Sequence, residues 1–354
     1  MVSEKPEGQG CLINKVIANG LCVRCGACVG LCPYFNYYNG EVVVIDQCHS
    51  DNSRCLQLCP LAEYEATTPL YQTKVKEAPD IAIGTLHEIF LARARDRELR
   101  AKGQYGGAVS ALLIYALENG LIKGAVMTDK GDDLAPKGML VRNRDQVIAC
   151  SGSRYSGSAA LSELNMCLKT GMDQLGVVGL PCQMEALARM RRMIPNGVAI
   201  SQRIALKIGL FCTWAIDYRG FSTLLNTRGI DIKAEGYDIP PPPADVFRVK
   251  NKTGHDDFSL SDIRPLIQKG CSLCQDMTAQ WADISIGTAE EKPGWNTIIV
   301  RTSVGAEIIR KALADNFLER DHFSKKGLDH LNAAAANKRL KGIKAKRDLD
   351  RSHQ

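Results

Sequence analysis

The sequence predicts two folds in one chain: a small α+β unit built around cysteines, then a larger α/β domain that ends in a helical tail. Three observations predict this. Cysteines crowd between positions 11 and 59 and then stop for a long interval; strand-like and helix-like segments alternate from Glu88 to Arg228; and the last residues are rich in Ala and Lys at helical spacing. The 354 residues, 45% hydrophobic and 24% charged, have ordinary globular composition and can bury the cores of two domains. Disorder, collagen-like repeats and a disulfide-stapled mini-scaffold are excluded on composition. The longest uncharged apolar run is Ala108 to Leu117, half of the roughly 20 residues that a membrane span needs. The opening MVSEKPEGQG lacks the apolar stretch of a signal peptide, so the expectation is a cytoplasmic protein with no membrane span.

The formal net charge of +6 is concentrated rather than spread. Lys338, Arg339, Lys341, Lys344, Lys346, Arg347 and Arg351 face only Asp348 and Asp350 in residues 338–354. The rest of the chain is close to neutral and shows no broad basic face, which argues against a nucleic-acid partner. The tail reads as a solvated helix end, with docking to an acidic partner as the alternative.

Fourteen cysteines in a protein of the reducing cytoplasm point to metal rather than disulfides. The run Cys22-Val-Arg-Cys25-Gly-Ala-Cys28-Val-Gly-Leu-Cys32-Pro33 is C-x2-C-x2-C-x3-C-P, the spacing of bacterial ferredoxins, so residues 1–78 read as a bacterial-ferredoxin-like, two-cluster domain. Three thiolates two residues apart can wrap one face of a 4Fe-4S cubane, and the small Gly26 and Ala27 let backbone N–H groups approach its sulfurs. A second, irregular half follows: Cys48, Cys55 and Cys59-Pro60. In two-cluster ferredoxins the cysteine before proline ligates the other cluster. Cluster one is therefore assigned Cys22, Cys25, Cys28 and Cys59. Cluster two is assigned Cys32, Cys48 and Cys55, with its fourth ligand open among Asp51, His49, Cys11 and solvent, or with three irons. The alternative is a remnant without metal. A short, hairpin-like strand from Gly40 to Asp46 separates the halves.

From Leu61 to Asp80 a polar stretch with Pro69 and Pro79 reads as a linker. The domain after it, residues 79–325, alternates. Strands are expected at Glu88–Ala94, Ile122–Thr128, Gln174–Gly179 and Ile204–Phe211. Helices are expected at Ala108–Asn119, closed by Gly120, and at 157–169, Gln183–Met193 and Tyr218–Arg228. The run Pro240–Pro243 breaks the alternation, and a hairpin follows that turns near Lys252–Gly254. Strands Ala282–Gly287 and Thr297–Thr302, a helix at 305–317 and a surface helix over Lys325–Lys346 complete the pattern; residues 326–354 are the tail.

Four more cysteines fall in this domain: Cys182 and Cys212 after strands, and Cys271 with Cys274 as C-x2-C. The carboxyl edge of an α/β sheet is where sites form, so these four suit a third cluster, with zinc and buried structural thiols as alternatives. Cys11, Cys150 and Cys167 look ordinary. Two small-residue loops each open a helix: Gly103 to Ser110, containing Gly106 and Gly107, and Ser151 to Ser158, containing Ser153, Arg154 and Tyr155. Either could cradle a diphosphate on free backbone N–H groups, or be a structural turn.

In this order these pieces resemble the beta subunit family of coenzyme F-420 hydrogenase and methanogen-type formate dehydrogenase. The likeness is carried by the N-terminal cysteine run, QYGGAVSALLIYALENGLIKGAV, SGSRYSGS, VVGLPCQMEAL, KIGLFC, CSLCQDMTAQWADISIGT and IIVRT followed by Gly305, and it covers roughly residues 15–315. The resemblance implies FAD held beside Gly106, Gly107, Ser110, Ser153, Arg154 and Tyr155, with arginine at 154 where the family commonly has lysine. It also implies that Cys182, Cys212, Cys271 and Cys274 hold a cluster. Two to three 4Fe-4S clusters and FAD are thus expected, in an electron-transfer subunit that links a catalytic dehydrogenase or hydrogenase subunit to a soluble two-electron carrier. Chlorophyll-pathway reductases look similar in this domain, so fold alone does not fix the substrate. The alternatives are a stand-alone, ferredoxin-dependent flavin reductase of an organic substrate and a flavin-free relay. No residue reads as a catalytic acid, base or nucleophile, because the redox chemistry belongs to the cofactors.

Overall fold

A computed structural model describes residues 8–48, 54–62, 82–129, 135–193, 202–230, 234–240 and 244–352. His49, Asp51, the segment from Glu63 to Asp80 and the prolines at 241–243 lie outside the described residues.

The N-terminal segment begins with a short helix α1 (Gln9–Leu12) that runs on as a π-helical turn over Ile13–Ile17. Strands β1 (Phe35–Tyr38) and β2 (Glu41–Val44) form an antiparallel hairpin, whose first strand lies before the hairpin-like segment expected from Gly40 to Asp46. The signal for the partner is Asn39-Gly40: both residues have positive φ, 45° and 81°, the backbone of a two-residue turn whose twist matches its strands. Helix α2 (Arg54–Leu58) follows. Leu12, Val16, Val29, Phe35, Val42 and Leu56 make one apolar cluster around the cysteines.

Next come β3 (Glu88–Ala94), α3 (Arg97–Lys102), α4 (Ala108–Glu118), β4 (Gly124–Thr128), β5 (Gly138–Val141), α5 (Arg144–Ala149), α6 (Ala160–Lys169), β6 (Leu175–Gly179), α7 (Pro181–Met193), β7 (Ile204–Leu210) and α8 (Tyr218–Thr227). A small antiparallel sheet of β8 (Gly236–Asp238), β9 (Val246–Asn251) and β10 (Gly254–Ser259) leads through α9 (Leu260–Ile263) to β11 (Ile284–Thr288) and β12 (Asn296–Val300). The chain closes with α10 (Ser303–Ala314), β13 (Leu318–Asp321) and α11 (Lys325–Ser352).

Eight strands share one sheet in the order β13-β3-β12-β11-β7-β6-β4-β5. Its centre, β11-β7-β6-β4, is parallel, and the outer pairs are antiparallel. Both faces are covered, as parallel strands require. Along β4, Ala125 and Met127 pack with α4, α5 and α10, whereas Val126 between them packs with α6 and α7. Val23, Cys25, Ala27 and Leu58 join this second cluster, so the N-terminal segment shares a core with the sheet.

Local chemistry adjusts several expected boundaries. The helix expected from 157 begins at Ala160 because Ser156 bridges Ile216 and the Gly157 N–H donates to the Ile216 carbonyl. Helix α10 starts at Ser303 because Thr302 caps it, its hydroxyl accepting from the Gly305 N–H. The C-terminal helix is longer than expected and is not simply a surface element. Ala335 and Gly342 are buried, and Ala335 packs with Ala82, Ile83 and Ile299. Lys341, Lys344, Arg347 and Arg351 remain at the surface, while Lys338 and Arg339 turn inward to carbonyls of Cys212 and Ala82. Among the described residues no helix is long and apolar enough to cross a membrane.

Candidate functional site

None of the fourteen cysteines is in a disulfide, and eleven of them fall into three groups. Cys22, Cys25, Cys28 and Cys59 line one small cavity, and Cys55, assigned to the second cluster by spacing, lines it with them. Burial, reinforced by neighbouring thiols, pushes the Cys25 and Cys28 thiols far above their ordinary pKa and Cys59 up to about 12. In the second group burial moves Cys55 up to about 11, and Cys32 and Cys48 are the thiols that add to the shift. The third group, Cys182, Cys212, Cys271 and Cys274, lines a cavity of about 270 Å³. Burial raises all four of these thiols, Cys212 to about 11. Cys150 and Cys167 are buried in the cores on either side of the sheet and line neither of the cysteine cavities. Cys11 packs in the N-terminal cluster.

Thiols that burial keeps protonated become thiolates beside a metal, because the cation's charge outweighs the cost of burying theirs. The chemistry of these three donor sets therefore fits thiolate-ligated centres. Among the described residues no three His, Cys, Asp or Glu side chains converge tightly enough for a single ion. The third group borders a space rather than a point. A lone zinc draws its thiolates to about 2.3 Å, so the donor set fits a multi-atom cluster better than zinc.

Backbone geometry explains why these loops can gather. Cys182 sits in the first turn of α7, directly beyond β6, and Cys212 lies two residues beyond β7, so both stand at the carboxyl edge of the parallel strands. Gly26 has φ +83°, and a Cβ there would come within 2.6 Å of the Ala159 carbonyl. Two arginines that no sequence motif singles out tie the loops down. Arg24 bonds Glu41 at 2.5 Å and Asp217, the N-cap of α8, at 2.6 Å. Arg189 donates to the Cys59, Pro60 and Ala62 carbonyls and pairs with Glu185 at 2.6 Å. Cys182, Glu185 and Arg189 stand at i, i+3 and i+7 on one helix, hence on one face. That spacing is the signal the sequence offers.

A larger cavity, about 790 Å³, opens on the same sheet edge, against Thr128, Gly179, Leu210 and Thr288 at the ends of β4, β6, β7 and β11. Gly107, Ser110, Ser153, Arg154 and Tyr155 line it; Gly106 does not. Gly106 lies beneath the wall, where a Cβ would meet Asn296 Oδ1 at 2.5 Å, and its carbonyl accepts from the Ala94 N–H. Gly107, at φ +68°, starts α4 with no side-chain cap of its own, and the Ala108 N–H donates to Asn296 Oδ1. Ser110 is paired with Ser151, Oγ to Oγ, at 2.8 Å. The Tyr155 ring packs edge-on against Phe247 of the small sheet, and its hydroxyl accepts from Gln104. Arg154 Nη1 donates to its neighbour's carbonyl, whereas Nη2 is buried with no partner. Burial lowers the Arg154 pKa. An unsatisfied buried guanidinium nitrogen at a cavity wall fits an anion-binding role.

The cavities form a series. Val23 and Pro60 wall both the first cysteine group and the third. Leu180, Cys212, Trp214 and Ala215 wall both the third group and the large cavity.

The chain matches two family models of the coenzyme F-420 hydrogenase/dehydrogenase beta subunit, one for its N-terminal part over residues 89–165 and one for its C-terminal part over residues 172–326. It is 31% identical over 260 residues to coenzyme F-420 hydrogenase subunit beta of Methanosarcina barkeri, covering 70% of this chain and 86% of that one. It is 32% identical over 311 residues to a coenzyme F-420-dependent sulfite reductase of Methanocaldococcus jannaschii, covering 84% of this chain but only 46% of that longer protein. In structure it resembles a chain of the F-420-reducing NiFe hydrogenase complex of Methanosarcina barkeri, with TM-score 0.70 and 30% identity over 76% of this chain and 94% of that one. Sequence, site and fold together make this chain a member of the coenzyme F-420 hydrogenase/dehydrogenase beta subunit family, a family of oxidoreductase subunits.

Proposed function

We propose that this chain is an iron–sulfur flavoprotein subunit that passes electrons between a catalytic dehydrogenase or hydrogenase partner and a soluble two-electron carrier such as coenzyme F-420. On this reading residues 1–78 are a ferredoxin-like unit with two clusters, 79–325 hold FAD and a third cluster, and 326–354 form the tail. The observation that carries it is the series of neighbouring cavities with shared walls, in which Cys212 borders both the third cysteine group and the large pocket. A rival without flavin would leave that 790 Å³ space and the orphaned Arg154 nitrogen without a purpose.

Clusters carry single electrons, and a flavin converts them into a two-electron hydride exchange. The chain's own residues would do the binding and positioning. Arg154 would hold an anionic part of the flavin, the first turn of α4 beyond Ala108 would offer backbone N–H groups, and Tyr155 would fix the wall through its contacts with Gln104 and Phe247. The cysteines of the third group would hold their cluster against the same wall.

The reading is tested by iron and flavin per chain on protein purified without oxygen. The expected result is about 12 iron, slightly fewer if the irregular site holds three, together with one FAD. Iron near that value with no flavin, even after FAD is offered, would leave a passive relay; about 4 iron would end the three-cluster scheme. A second expectation concerns Arg154→Gln. Losing one charged hydrogen bond should weaken FAD binding by roughly ten- to a hundredfold, read by flavin fluorescence on the flavin-depleted protein. An unchanged Kd would remove Arg154 from the flavin site.

A further inference from the structure

The basic tail has a purpose that its sequence does not disclose. Helix α11 begins where the match to the family model ends, at residues 325–326, and crosses the third cysteine group. Lys338 Nζ donates to the Cys212 carbonyl at 2.6 Å, and Lys338 and Lys346 line the same cavity as Cys182, Cys212, Cys271 and Cys274. One turn beyond Lys338, Gly342 is buried against the Cys274 backbone, where a Cβ would lie 2.7 Å from the carbonyl oxygen. The helix is thus seated on two of the three segments that carry these four cysteines. Two carboxylates at this cavity are already engaged: Glu185 pairs with Arg189, and Asp276 accepts from the Thr278 and Gln280 N–H groups.

We propose that Lys338 is a positioning and tuning residue for the redox centre held by Cys182, Cys212, Cys271 and Cys274, and that α11 is the strap that delivers its charge. The inference rests on the proposed third cluster. Reduction of such a centre adds one electron, hence one negative charge, and a cation held close in a partly dry cavity stabilises the reduced form. Lys338 would therefore raise the potential of this centre above the value it would have without that charge. Its bond to the Cys212 carbonyl also fixes the loop that separates the two cavities, as outer-shell partners do.

The test is a redox titration of the full-length, anaerobically purified chain, following the centres by electron paramagnetic resonance, with Lys338→Met, Lys338→Arg and Arg339→Gln compared. In Lys338→Met one centre should shift to a more negative midpoint, so that its reduced-to-oxidised ratio at fixed potential falls roughly tenfold, equivalent to about 59 mV for one electron. Lys338→Arg should largely restore it. Arg339→Gln removes the neighbouring anchor to the Ala82 carbonyl without touching the cysteine group and should shift nothing. Unchanged midpoints in Lys338→Met with full iron, or an equal shift in Arg339→Gln, would overturn the proposal and leave α11 a structural brace. Failure of the underlying reading looks different: the wild type itself would lack the third centre in its iron content and spectrum.

Discussion

Replacing Cys212 with alanine is expected to remove about four iron atoms per chain and to stop partner-driven reduction of the flavin, while FAD stays bound and a small chemical reductant still reduces it. The expectation follows from where Cys212 lies. It borders the third cysteine cavity on one side and the large cavity on the other, so its loss empties one station of the series without disturbing Arg154 or the α4 N-terminus. The residue is half-buried, and burial raises its thiol to about 11; an alanine there loses a donor and exposes no charge. Iron and flavin analysis, with stopped-flow reduction by partner and by dithionite, checks this. Cys167→Ala is the contrast, since that thiol sits in the core beneath the sheet and its removal should leave the iron unchanged. Loss of flavin together with iron from Cys212→Ala would mean that the two sites are one structural unit.

The second large effect is expected from Gly270→Ala. Gly270 precedes Cys271 in a 3-10 turn, and a Cβ on it would lie 2.0 Å from the Leu21 carbonyl oxygen and 2.8 Å from Leu61 and Val23 side-chain atoms. Leu21 immediately precedes Cys22, so this glycine is where the C-x2-C loop of the large domain is pressed against the N-terminal cysteine run. A methyl group must push the two loops apart. Overpacking of this kind costs roughly 1–3 kcal/mol and occasionally more, and here the obstacle is backbone, which places the cost at the upper end. Thermal melts should show the loss, and electron exchange between the first and third groups should slow. Gly236→Ala, whose Cβ would meet only the tip of Lys250 at 4.0 Å, should melt like the wild type. An equal melt for Gly270→Ala would show that the loops are not held in contact in solution.

The elements legible in the sequence are those whose signal is local. Strands β3, β4, β6 and β7 are short apolar runs bounded by breakers, and α4 is an unbroken apolar helix closed by Gly120. Strands β5 and β13 are not legible there. Both are edges of the sheet, each four residues long, and Leu318–Asp321 carries Glu319, Arg320 and Asp321. Edge strands take their structure from a neighbour and need charge to stay unpaired outside, so their own pattern is silent. Spacing and the ferredoxin cross-ligation rule lead to the expected grouping of the N-terminal cysteines, and Cys22, Cys25, Cys28 and Cys59 do share one cavity, which Cys55 also lines. The basic tail looks like a solvated end in sequence because its inward residues, Lys338 and Arg339, are lysine and arginine like the outward ones.

By itself the sequence determined the chemistry of this protein: thiols at cluster spacing, small-residue loops at helix starts and a parallel α/β core, because each is written in residues that are neighbours in the chain. Only the tertiary structure decided the order of the stations and what stands beside them. That Val23 and Pro60 separate the first two cavities, that Cys212 divides the next two, and that Lys338 lies on the third cysteine group are facts about residues up to three hundred positions apart. Such meetings are set by which faces of the sheet and helices must be buried together, and side-chain identity does not reveal them until the chain has closed.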